Sequence, residues 1–193
     1  FDVKDDIAVF RAISKIDTRY DLVIDPSLKW GTFFDNNNDS FDEYLFAVDL
    51  DNSGNVYCGG NINMQLTSGS GNYINPATLF GYSNTYAGSV DGIIYKLKFD
   101  GTAILAITYF GTSANDRLYG LSLSPDKSTI FVCGLTAGTL PTGSTTAFDN
   151  AIATSEDGFV AALSATSLNT LLYTSYIGGT GNSDEMVSIR ALS

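Results

Sequence analysis

An ordered set of short motifs recurs along this chain, and the recurrence restricts the fold more than any other feature. Residues 103–163 hold the fullest copy: an apolar run at 103–111, then Asn115 and Asp116, a second run at 118–123, a turn at 124–128, and a third run ending in Cys133 and Gly134. A polar insert follows, and Glu156, Asp157 and Gly158 lead a fourth run. The same marks stand upstream in the same order. Thr32, Phe33 and Phe34 stand for Thr108, Tyr109 and Phe110, Asn38 and Asp39 for Asn115 and Asp116, Cys58 and Gly59 for Cys133 and Gly134, and Asp91 and Gly92 for Asp157 and Gly158. Downstream, Tyr173 to Gly178 begin a third copy. Cys58 and Cys133 lie 75 residues apart, whereas Tyr109 and Tyr176 lie 67 apart. Unequal offsets between ordered marks describe one unit with loops of variable length. Such a unit cannot bury its apolar face alone and must stack on its neighbours.

The runs are dominated by Tyr, Phe, Val, Ile and Thr and are punctuated by tight turns, which predicts strands. Residues 1–26 fall outside the repeat and read as the C-terminal hairpin of a preceding β domain, ended by Pro26. Residues 27–101 read as a first blade, with strands at 28–34, 44–49, 56–59 and 91–99 and a long insert at 60–89. Residues 102–168 read as a second blade with an insert at 135–155, and 169–193 as the first half of a third. Four antiparallel strands per copy without an amphipathic helix predict an all-β protein built of β-propeller blades in an incomplete ring. A β-sandwich is the competing architecture. Two and a half blades cannot close a ring. The sequence therefore predicts further blades of the same polypeptide, or a partner chain, covering a sheet edge at 185–193.

Bulk chemistry removes several functions. With 21 acidic and 10 basic residues the net charge is −11, which opposes binding to nucleic acid or to anionic lipid. No apolar window is long enough for a membrane-spanning helix. The chain starts and stops inside strand-like runs and reads as a piece of a longer polypeptide. There is no histidine, so Ser-His-Asp and Cys-His nucleophile systems and His-ligated zinc are absent. Cys58 and Cys133, at matching places of successive units, are expected as free, buried thiols rather than a disulfide.

Carboxylates are the remaining catalytic candidates. Asp39, Asp42, Glu43, Asp116, Asp184 and Glu185 fall at equivalent inter-strand positions, where they would line one rim as a glycosidase pair does or cap turns as short polar residues do. Turn capping is the expectation, and no residue is assigned a catalytic role. Calcium is the cofactor considered: Asp49, Asp51, Ser53 and Asn55 place oxygens at alternate positions around Gly54, like the start of an EF-hand loop. Position twelve of that loop, however, is Gly60. A plain hairpin turn is the competing reading. Tyr73, Phe80, Tyr82 and Tyr86, set among Gly, Ser and Asn, are the candidate ligand-binding residues of the first insert, in a mixture suited to glycan or polymer recognition. The alternative is a loop packing its own aromatics against the blade edge.

Beyond the pattern, residues 173–182, 47–59 and 91–102 resemble the bacterial seven-bladed β-propeller repeats called SBBP repeats. The lead-in Tyr20-Asp21-Leu22-Val23-Ile24-Asp25-Pro26 is similar to the junction before such repeats in large secreted proteins of gliding Bacteroidota, many of them exported by type IX secretion. The likeness covers about residues 28–193. It departs in the long inserts and in the turn 126–130, which lacks a glycine. The resemblance implies an exported, extracellular or cell-surface protein and carries no catalytic residues with it. The expectation is a non-enzymatic scaffold or adhesion module presenting its loops on a bacterial surface. A carbohydrate-active enzyme using the rim carboxylates, and a structural spacer or assembly subunit, are the alternatives.

Overall fold

In the computed structural model, residues 2–4, 7–9, 29–32, 43–66, 81–143, 147–153, 155–181 and 183–192 are described. The described residues are all-β, without a helix. Strands β1 (Asp2–Lys4) and β2 (Ile7–Val9) form a small antiparallel hairpin. Two four-stranded sheets follow. The first is β3 (Tyr44–Leu50), β4 (Val56–Ile62), β5 (Asp91–Leu97) and β6 (Ile104–Phe110). The second is β7 (Asp116–Leu123), β8 (Thr129–Thr136), β9 (Asp157–Ser164) and β10 (Leu171–Ile177). Each sheet is an antiparallel meander in which every strand pairs with its neighbour in sequence.

The sheets are phased one strand later than the sequence units. The run at 104–110 opens the second unit in the sequence, yet it pairs with β5 as the last strand of the first sheet. Likewise β10 closes the second sheet instead of opening a third. The turn at Lys98–Gly101 causes this. Lys98 N–H donates to Ala103 O and Gly101 N–H to Lys98 O, so the chain folds straight back onto the strand it has left. Of the expected strand at 28–34, residues 29–32 are described and belong to no strand.

Both sheets carry the same irregularities. Pairing shifts by one residue at Phe46 in β3 and at Tyr119 in β7, and again at Leu105 in β6 and Leu172 in β10. These matching bulges fix the alignment of the copies. They also correct the cysteine equivalence. Five residues separate the paired ends Leu50 and Val56, but six separate Leu123 and Ile130. Cys133 therefore corresponds to Gly59, and Cys58 to Val132. A slip of one residue in a strand exchanges its faces, so the two thiols point opposite ways. Both are free and buried. Cys58 joins the cluster on the far face of sheet one, while Cys133 faces Met186, whose carbonyl lies 3.4 Å from its sulfur.

The core forms where the sheets meet. Tyr57, Ile94, Ala106 and Phe110 of sheet one pack with Leu121, Val132, Phe159 and Leu163 of sheet two, and the Phe110 and Phe159 rings stand 5.3 Å apart. Polar ties fasten the contact. Tyr57 Oη donates to Ala165 O (2.7 Å), Asn61 Oδ1 accepts from Leu118 N–H (2.7 Å), and Asp49 Oδ2 accepts from Leu123 N–H (2.7 Å). Residues 183–192 lie on the far face of sheet two in the same manner. Asp184 N–H donates to Glu156 O as Asp116 N–H does to Val90 O. Ala191 N–H donates to Ser122 Oγ, at the place where Leu123 N–H meets Asp49.

Candidate functional site

The bulges at Phe46 and Tyr119 build the most distinctive surface of the molecule. A bulge inserts one residue into an edge strand and re-aims its side chain. Gly60 and Gly134 stand opposite the two bulges and make them possible. A Cβ at Gly60 would sit 1.7 Å from Tyr44 O, and one at Gly134 would sit 1.8 Å from Arg117 O. With glycine there, β3 and β7 accommodate their bulges, and the Phe46 and Tyr119 rings stand in contact.

The result is a cleft of about 450 Å³ lined by Tyr44, Phe46, Asn61, Asn63, Val90, Arg117 and Tyr119. Its aromatic wall is continuous: Tyr44 and Phe46 stack with centroids 5.9 Å apart, and Phe46 meets Tyr119 edge-on at 5.6 Å. Tyr44 and Phe46 remain about half exposed, an unusual placing for large apolar rings on one strand. Arg117 is exposed, and its guanidinium makes no hydrogen bond or ion pair among the described residues. Asn63 Oδ1 is buried without a hydrogen-bond partner. None of the described residues lining the cleft carries a carboxylate. Stacking surface, amides and an unengaged guanidinium suit a polar ligand with flat or ring-shaped parts.

The binding residues expected in the first insert lie elsewhere. Tyr73 and Phe80 are outside the described residues. Tyr82 is partly exposed beside Tyr109, Phe110 and Pro141 in a hollow of about 280 Å³. Tyr86 packs on Tyr109, with ring centroids 6.2 Å apart. The end of the insert lies along the outer strand of sheet one: Gly81 N–H donates to Ile107 O, and Tyr109 N–H to Ser83 O. The second insert does the same for sheet two, where Thr174 N–H donates to Thr142 O and Tyr176 N–H to Asp149 O. Equivalent tyrosines pin the other end of each insert. Tyr109 Oη accepts from Leu66 N–H (2.6 Å), and Tyr176 Oη from Leu140 N–H (2.7 Å). Burial pushes the Tyr109 phenol up to about 12. The inserts thus cover the outer sheet edges, which would otherwise offer unpaired backbone to another chain.

Four aspartates serve turns. Asp91 and Asp157, each at the start of the third strand of its sheet, are buried and accept from Ala87 and Ala153 N–H. Asp116 accepts from Thr112 N–H and Thr112 Oγ1, and also from Thr136 Oγ1. Asp184 caps the equivalent turn through Gly179 N–H (3.0 Å) but is exposed. Asp91 is pushed up to about 6, chiefly by burial and then by the charge of Asp116, against the lowering effect of the Ala87 and Gly88 N–H groups. Glu43 is half-buried beside Tyr44 and Glu185 is exposed; Asp39 and Asp42 fall outside the described residues.

The considered calcium ligands are engaged too. Asp51 Oδ1 accepts from Ser53 and Asn55 N–H, and its Oδ2 from Asn55 Nδ2, all at 2.9 Å. Lys96 Nζ stands 4.0 Å from the same carboxylate, and the net pull of these partners holds Asp51 below its ordinary range despite burial. Asp49 accepts from Leu50 and Leu123 N–H, with Lys127 Nζ at 3.6 Å. Gly54, at φ +78°, completes a hairpin turn. Among the described residues no group of three or more Asp, Glu, Cys or His side chains converges.

The sequence reading missed Tyr44, Phe46, Asn61, Asn63, Arg117 and Tyr119. One signal was present: Tyr44 and Phe46, like Arg117 and Tyr119, are spaced two apart at the start of equivalent strands. Together, fold and site define an all-β protein of two packed four-stranded meanders with an aromatic cleft at the edge strands β3 and β7. No family model matches the chain, and no curated protein matches it.

Proposed function

We propose that this chain is a segment of an exported β-propeller of the SBBP-repeat kind, acting without catalysis as a scaffold or adhesion module on a bacterial surface. Its ligand would be a glycan or surface polymer. Support for a propeller over a sandwich comes from one observation above all: residues 183–192 make on sheet two the ties that β7 makes on sheet one. A sandwich buries one face of each sheet against the other and stops. Here the second sheet receives, on its far face, the beginning of another copy, which is how blades follow one another around an axis. The inner edges β3 and β7 would then face the axis, and the inserts would clothe the outside. Val187 and Leu192, both largely exposed, would be covered by the rest of a third sheet, drawn from the same polypeptide or from a partner chain.

Amide hydrogen exchange on the intact polypeptide tests the architecture. Backbone amides at 185–192 should be protected as well as those of β7, and free exchange there contradicts a third sheet. Protease added to intact cells of the source organism tests the placement. Cleavage without lysis is expected, and cleavage only after lysis refutes surface exposure.

A further inference from the structure

From the chemistry of the inner-edge cleft we infer that its ligand is an acidic saccharide, a pyranose unit carrying a carboxylate, held by Arg117 and stacked on Phe46 and Tyr119. The inference rests on the reading of the chain as a surface module that binds glycans, and it names the class of glycan and the residues that select it.

Charge carries the argument. The protein has 21 carboxylates and 10 basic residues, so an average stretch of its surface repels anions. The cleft inverts that sign. Its described lining holds one cation and no acid, and the cation is an arginine whose guanidinium is engaged with nothing among the described residues. A planar guanidinium presents a fork of donors that matches a carboxylate in two parallel hydrogen bonds. The cation Lys127, beyond the other end of β7, differs, since it is set 3.6 Å from Asp49.

Shape adds the sugar. The aromatic wall formed by Tyr44, Phe46 and Tyr119 offers ring faces and edges to the apolar C–H face of a pyranose, while the Asn63 amide and the tyrosine hydroxyls can exchange hydrogen bonds with its hydroxyls. A volume of about 450 Å³ accommodates a short oligosaccharide and leaves it open to continue. The surrounding negative charge limits the ligand further. Densely sulfated or phosphorylated polyanions would be repelled at a distance, whereas a saccharide with one carboxylate per ring meets the arginine locally.

The position also explains why the cleft is here and not at every repeat. The places held by Tyr44 and Phe46 in β3 and by Arg117 and Tyr119 in β7 correspond to Glu185 and Val187 in the third copy. That pair supplies neither ring nor cation, so only the junction of β3 and β7 combines both.

The test is calorimetric titration of the intact polypeptide with trigalacturonic acid and with its fully methyl-esterified form, which keeps the rings and removes the charge. The acid should bind at least about tenfold more tightly than the ester, as expected for the loss of a charge-assisted hydrogen-bonded pair. Arg117→Gln should erase that preference, and Phe46→Ala should weaken both forms. Equal binding of acid and ester, or a preference that survives Arg117→Gln, overturns the acidic-sugar inference and leaves glycan binding standing. Failure of both forms to bind, with an unchanged melting temperature, overturns the saccharide assignment itself. The architecture is judged separately by the amide exchange at 185–192.

Discussion

The two edges of each sheet are treated in opposite ways. At the edges β6 and β10, taken in the proposed propeller as the outer ones, backbone groups are taken up by the inserts, and Tyr109 and Tyr176 pin those inserts with buried hydroxyls. At the opposite edges β3 and β7, the proposed inner ones, glycine-dependent bulges bring Phe46 and Tyr119 into contact. Exposed rings occur in both settings: Tyr82 and Phe148 lie in the inserts, Phe148 almost fully exposed, and Tyr44 and Phe46 lie on β3. What differs is their arrangement. The described parts of the inserts run along sheet edges, whereas Tyr44, Phe46 and Tyr119 stand ring against ring in one cleft.

The sharpest way to break this contrast is at the bulges. Gly60→Ala would place a methyl group 1.7 Å from a backbone carbonyl oxygen, which no rotamer relieves. A loss of at least about 3 kcal/mol is expected in denaturant unfolding, and a near-neutral result would mean that β3 does not need its bulge. At the outer edge, Tyr176→Phe removes the acceptor for the Leu140 amide and leaves that buried donor unpaired. It should cost about 1–3 kcal/mol and raise amide exchange in residues 140–143. An unaltered exchange pattern there would show that the insert is held by other contacts.

A smaller effect concerns pH. Asp91 is raised from 3.8 to about 6 in the folded chain, so between those values the folded state holds more proton than the unfolded state. Its contribution is favourable at low pH and is lost as pH rises through about 6. The melting temperature should climb as pH falls from 7 toward 5, and Asp91→Asn, which keeps an acceptor for Ala87 N–H, should flatten the climb. A slope unchanged in that variant would assign the effect to other carboxylates.

Much of this organisation was legible in the residues. Strand-forming runs, tight turns and ordered landmarks marked the strands β3 to β10, the last of them assigned to a third copy, and also a strand at 28–34 that residues 29–32 do not form. Tyr109 and Tyr176 proved to be landmarks because each anchors an insert. Three things were hidden. A repeat has no privileged starting point, so nothing in residues 91–110 says whether the run after Gly101 pairs backward or forward. The extra residue between Leu123 and Ile130 slips the register by one, which is enough to move Cys133 to the opposite face from Cys58. The cleft was obscured because residues 44–48 are an unbroken apolar run that reads as a buried strand, whereas Tyr44, Leu45, Phe46 and Val48 are all exposed along β3.

The most direct test of the contrast is a pair of double variants read in the same thermal melt and the same trigalacturonate titration of the intact polypeptide. Phe46→Ala with Tyr119→Ala alters the inner edge, and Tyr109→Phe with Tyr176→Phe alters the outer edge. The account predicts a crossed result: the inner pair weakens binding about tenfold or more with stability kept within about 0.5 kcal/mol, and the outer pair lowers the melting temperature with affinity unchanged. If both pairs move the same quantity, the division between a sealing outer edge and a binding inner edge is wrong.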